Sequence, residues 1–159
     1  IFTPAGGGTA VTATATDPDG VGSDPLEVQG PINLDVDTEY TLTYEILNAL
    51  DPADVEDIGE EILEEDNEHQ IFFSFTTDAF ASPTGNGNVD TASDDINYFD
   101  DDDIGCNVGL ETSWTTGSDA VDGGTFRVNL QHQPDVKTCS TGSNDGDTDF
   151  DLTFVLNID

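Results

Sequence analysis

The sequence predicts an all-β protein, an antiparallel immunoglobulin-like β-sandwich with one short helix spanning about residues 52–67, and three observations predict it. Segments that alternate apolar and polar residues recur along the chain. Loops rich in Gly, Asp, Asn and Ser separate them. The 35 acidic residues are mostly Asp, which favours turns and caps over helix interiors. The 159 residues suffice for one core and offer no long linker or internal repeat, so residues 9–159 are read as one sandwich domain. Residues 1–8 are set apart as an extended segment with a glycine hinge.

In order, Ile1-Phe2-Thr3-Pro4 is a short apolar piece, and Gly6-Gly7-Gly8 after it imposes no backbone preference. Thr9–Asp17 alternates Thr with Ala or Val, a strand pattern with small side chains. Leu26–Gln29 follows a turn-dense loop. Tyr40–Leu47 places Tyr40, Leu42, Tyr44 and Ile46 on one face. From Pro52 to Asn67 the spacing of Val55, Ile58, Ile62 and Leu63 turns helical. Gln70–Thr76 directs Ile71, Phe73 and Phe75 inward and leaves Phe72 as an outward exception. Gly109–Thr115 carries Leu110 and Trp114, and Thr125–Gln133 carries Phe126, Val128 and Leu130. Asp149–Ile158 stacks five apolar residues on one side.

Against 35 acids stand only Arg127 and Lys137, for a net charge of −33. Nucleic acid and anionic membrane surfaces are excluded as direct electrostatic partners, because such binding needs clustered Lys and Arg. The organised 35% of apolar residues argues for a fold over a solvated tail. No bilayer-spanning run is present, and the chain opens at Ile1 without Met, so targeting or anchoring signals are expected upstream. Cys106 and Cys139 sit in polar loops without metal-site spacing. An oxidised pair is the preferred reading over two free thiols, and it points outside the cytoplasm.

Chemistry is sparse. No GxSxG, HExxH or phosphate-binding glycine loop occurs, and no enzyme is expected. His69 and His132 are the only histidines, each on the core-facing parity of its strand, where a hydrogen-bonded residue at the core margin is the ordinary outcome. If the two strand ends converge, Glu65, Glu68 and Asp135 join them as ligands of a transition metal. Calcium is the other expected cofactor, through Asp17, Asp19 and Asp24, and through Asp145, Asp147 and Asp149, whose carboxylates line one face if that segment is extended. A third acidic stretch is Asp100–Asp103. The competing reading of all three is a solvated acidic loop.

The runs Phe2-Thr-Pro-Ala-Gly-Gly-Gly-Thr9, Thr16-Asp-Pro-Asp-Gly20, Glu60-Glu-Ile-Leu-Glu-Glu-Asp-Asn-Glu-His-Gln-Ile-Phe-Phe-Ser-Phe75, Ser82-Pro-Thr-Gly-Asn-Gly-Asn88, Leu130-Gln-His-Gln-Pro-Asp135 and Asp145-Gly-Asp-Thr-Asp-Phe-Asp-Leu-Thr-Phe154 resemble a family of secreted or surface lipoproteins of Bacteroidota. The resemblance spans most of the chain and implies an extracytoplasmic, non-enzymatic β-sandwich. Asp90-Thr91-Ala92 resembles the O-glycosylation acceptor of that phylum, at Thr91. Two functions follow as expectations. One is a homopolymeric surface filament in which Ile1 and Phe2 complete a neighbouring copy by β-strand addition, with cations offsetting the repulsion between copies. The other is a monomeric surface lipoprotein that binds a metal or nutrient for an outer-membrane TonB-dependent receptor.

Overall fold

A computed structural model describes residues 1–17 and 26–159. The chain runs through β1 (Phe2–Pro4), β2 (Thr14–Thr16), β3 (Glu27–Gln29), β4 (Ile32–Leu34), β5 (Glu39–Thr43), β6 (Leu47–Asn48) and β7 (Glu56–Asp57). After helix α1 (Ile58–Glu64) come β8 (His69–Phe75), β9 (Phe80–Ser82), β10 (Asn97–Tyr98), β11 (Glu111–Thr116), β12 (Val121–His132) and β13 (Asp147–Ile158). One sheet has the order β1-β5-β11-β10, with β9 also on β11; the other has the order β4-β13-β12-β8. The expected β-sandwich is therefore present, antiparallel except where β4 pairs parallel to the end of β13. Strands β2–β3 and β6–β7 form two short ribbons.

The alternating segments put their apolar parity between the sheets. Trp114 is fully buried and meets Phe73, Phe75, Phe80 and Phe126 with tilted or edge-on rings, centroids 4.9–5.4 Å apart. Such contacts add about 0.5–1.5 kcal/mol each to the area they bury. None of the residues in this core is charged.

Gly6-Gly7-Gly8 makes a reversal: Gly7 and Gly8 take φ of 82° and 135°, and the returning chain bridges Val11 to Phe2. Phe2 lies opposite Leu42 on β5, is 2% exposed, and packs edge-on to Tyr40 and Phe126. The segment set apart at residues 1–8 thus contributes a core residue to its own sandwich.

The helix is shorter than expected. Asp57 caps α1 by accepting from the Gly59 and Glu60 amides, and Glu56–Asp57 is already paired with Leu47–Asn48, so the spacing before Ile58 is that of a ribbon. Ile62 is buried as expected, whereas Val55 and Leu63 are exposed.

Phe72, the outward exception, lies outside the inter-sheet cluster yet has no exposed surface. The edge of its strand is closed by loops. The amides of Ile71 and Phe75 donate to Val108 and Asn86 carbonyls, and Phe73 N–H donates to the Asn88 side chain, which occupies the free edge of β8. The Cys106–Cys139 disulfide ties the loops together across 33 positions, contributing about 3–4 kcal/mol in the loop-entropy account. Beside it Lys137 Nζ lies 3.0 Å from Asp102 Oδ2, both side chains 1% exposed.

Candidate metal centre

His69 opens β8 and His132 closes β12, and the antiparallel register sets them directly opposite each other. Both continue the inward parity of Ile71 and Leu130, past the end of the apolar core. Their rings stack with centroids 4.6 Å apart and planes 6° from parallel. His69 is buried and His132 half-buried.

The third component comes from the end of α1. Glu65 is the helix C-cap, its amide bonded to the Glu61 carbonyl. Its own carbonyl accepts from the Glu68 amide, and the Glu68 carbonyl accepts from the Gln133 amide. The short connection from helix to β8 is thereby fastened to the end of β12, which brings the Glu65 carboxylate to the histidines. One ligand atom from each of Glu65, His69 and His132 lies within 4.8 Å of the other two.

The tautomer of His69 follows from its partner. Nδ1 is 3.0 Å from the Glu65 carbonyl oxygen, which can only accept, so Nδ1 carries a proton, and in the neutral ring Nε2 is the nitrogen left to bind an ion. A histidine oriented in this way by a backbone carbonyl is prepared as an Nε2 ligand.

Two more carboxylates lie against the rings. Glu68 Oε2 is 3.3 Å from His132 Nε2, and Asp149 Oδ2 is 3.5 Å from His69 Nε2. Asp149 arrives through a bulge: Leu130 faces Phe150, but Gln131 faces Thr148 and His132 faces Asp147, leaving Asp149 without a partner. Burial pushes the Asp149 carboxyl above its usual range, although both histidines work in the opposite direction.

This bulge also breaks the single-face row expected of Asp145, Asp147 and Asp149. Asp145 Oδ2 instead accepts from the Gly142 amide within a turn. Of the other candidates, Asp19 and Asp24 lie outside the described residues, while Asp17 ends the strand region of β2. In the third acidic stretch, Asp100 accepts from the Gly109 and Leu110 amides and Asp102 from those of Ile104 and Cys106, so these carboxylates are committed to loop structure. Asp135 is exposed in the turn after β12 and takes no part in the cluster. Thr91 is exposed in a loop, as an acceptor residue must be. The sequence grouped Glu65 and Glu68 with the histidines; Asp149 was legible only as one of a row of acids.

Comparison with protein-family models, with curated proteins and with solved structures yields no match to this chain. Its functional reading therefore rests on the geometry of the site. Two imidazoles and a carboxylate suit a divalent ion of the zinc, copper or nickel type, whereas calcium takes oxygen ligands.

Proposed function

We propose that this chain is a non-enzymatic, extracytoplasmic binding protein for a divalent transition-metal ion, held by Glu65, His69 and His132. The observation that carries the proposal is the gathering of these three ligand atoms, from three separate elements, within 4.8 Å of one another. Three protein ligands leave coordination positions open, and Glu65 is exposed, so the ion is exchangeable cargo more than a structural staple. The three ligands lie outside the aromatic core. A net charge of −33 concentrates cations around the protein and speeds their capture at low ionic strength. The disulfide supports an oxidising compartment, in line with the lipoprotein resemblance.

Calorimetric titration with Zn²⁺, Cu²⁺ and Ni²⁺, against a calcium control, tests this reading. One transition ion per chain is expected, with affinity lowered at least a hundredfold in the His69→Ala, His132→Ala double variant. Equal affinity in the two proteins sinks the proposal.

A second reading, the filament subunit, is favoured by the position of β1 at a sheet edge and by charge. Residues 1–16 form the longest stretch without Asp or Glu, the segment best able to approach another copy. Strand exchange requires β1 to leave β5 and Phe2 to leave its own core. Negative-stain microscopy with and without chelator decides: filaments that vanish in the Phe2→Ala variant support exchange, and single particles under every cation condition refute it.

A further inference from the structure

We propose that the Cys106–Cys139 disulfide regulates the metal centre: while it is intact, Glu65, His69 and His132 are held in place for the ion, and its reduction by a dithiol releases the ion from a sandwich that stays folded. The inference rests on the metal-binding reading above and deepens it.

A short series of contacts joins the two places. Cys139 follows Lys137 by two positions, and Cys106 follows Asp102 by four. Asp102 Oδ1 accepts from the Cys106 amide, and Asp102 Oδ2 lies 3.0 Å from Lys137 Nζ. The same ammonium donates to the Asp66 carbonyl. Asp66 sits inside the turn from Glu65 to Glu68, which the Glu68 amide closes on the Glu65 carbonyl. That carbonyl also holds Nδ1 of His69, and the turn carries the Glu65 carboxylate to the histidines. Lys137 therefore fastens the one segment that places the ligand Glu65 and orients the ligand His69.

The Lys137–Asp102 pair makes the coupling discrete. Both side chains are 1% exposed, and a buried ammonium parted from its carboxylate is strongly disfavoured. The pair is docked whole or solvated whole, a two-state element that both the disulfide and the ion bias. The disulfide keeps the loops bearing its two members together. Once it is cut, the 33-position segment between the cysteines regains its freedom and the solvated state gains weight. Lys137 then leaves Asp66, and Glu65 and His69 lose their fixed placement. Access to the bond is one-sided, since Cys139 is exposed and Cys106 buried. A thiolate of the dithiol attacks Cys139 Sγ, and Cys106 leaves as a thiolate and takes a proton. The second thiolate of the dithiol then displaces Cys139, which is protonated in turn. The two cysteines gain two electrons and two protons, and the dithiol is oxidised to its own disulfide.

Calorimetric titration with Zn²⁺ of the oxidised wild type and of the Cys106→Ala, Cys139→Ala variant is the test, because the variant stands for the reduced chain without adding thiol ligands. Its affinity is expected to be about tenfold lower, within the usual range of coupling between sites, while circular dichroism shows the sandwich intact. Lys137→Met in the oxidised protein should lower affinity to a similar extent. Added to the cysteine variant it should cost little more, since both changes act through one contact. Phe2→Ala, which weakens the core away from these contacts, should leave zinc affinity unchanged. Equal affinity in the wild type and a folded cysteine variant overturns the regulation and leaves the binding reading standing. No zinc binding by the oxidised wild type overturns both. Losses that combine in full in the triple variant, or an equal loss in Phe2→Ala, overturn the role of Lys137. A cysteine variant that does not fold overturns the local account, since the disulfide then holds the whole domain.

Discussion

Replacing Lys137 by Met is expected to cost about 3 kcal/mol of stability in urea unfolding, more than the loss of any exposed ion pair in the molecule. Lys137 and Asp102 are each 1% exposed at the side chain, and the ammonium also donates to the Asp66 carbonyl. Removing the ammonium leaves Asp102 buried without its counter-ion, and the methionine cannot serve the Asp66 carbonyl. The double variant Lys137→Met, Asp102→Asn should recover part of the loss, because the asparagine carries no charge and its carbonyl can still accept from the Ile104 and Cys106 amides. The pH dependence has a definite sign. Burial works to raise the Asp102 carboxyl, but the Cys106 amide and Lys137 outweigh it, and the folded group sits below its usual range of about 3.8. A carboxyl depressed in the folded state contributes stability above its unfolded value, and that contribution is lost as pH falls through the folded one. The gap between wild type and Lys137→Met should therefore be widest near neutrality and narrow below pH 3.8. A gap that stays constant into acid refutes the electrostatic account. By contrast Arg127, bidentate to Asp151 at 2.6 Å but at about one-third exposure, should matter little, within the 0–1 kcal/mol typical of surface pairs.

How far the sequence reveals such features depends on whether their causes are local. β8, β12 and β13 are legible because a period of two over seven or more residues fixes which side chains go inward. β4 is only three residues after a proline, too short for any period to show. The helix is read too long because Val55 happens to fall at helical spacing from Ile58, while Glu56 and Asp57 are paired with Asn48 and Leu47, earlier in the chain. Phe72 reads as an exception because alternation assumes one buried face, whereas β8 is buried on both. At the metal centre, the parity of His69 and His132 is local information, but their register is not, since it depends on how β12 lies against β8, a strand distant in sequence. Asp149 is the furthest from view: alternation aligns it with Asp147 and Asp151, and the bulge that re-aims it exists only in the paired sheet.

Phe2→Ala is expected to destabilise the isolated chain by about 3–5 kcal/mol, the cost of deleting a large core aromatic. A three-residue strand beside a run of glycines ordinarily invites the opposite expectation, that of a frayed end with no energetic weight. The contacts of Phe2 decide between them. It is 2% exposed, and its ring meets Tyr40 at 6.2 Å from its own sheet and Phe126 at 5.5 Å from the facing one. Its amide and carbonyl pair with Val11, while the β5 ladder continues in the Thr43 amide donating to the Ile1 carbonyl. A side chain that bridges both sheets leaves a void when truncated, and β1 has too few other contacts to collapse into it. Leu47→Ala supplies the control, since Leu47 is 47% exposed and its loss should stay within about 0.5 kcal/mol. The measurement also bears on strand exchange. If Phe2 is part of the chain's own core, the loss appears in dilute monomer and does not change with protein concentration. If the strand belongs in a neighbour, the monomer tolerates Phe2→Ala, and the loss appears only where copies associate.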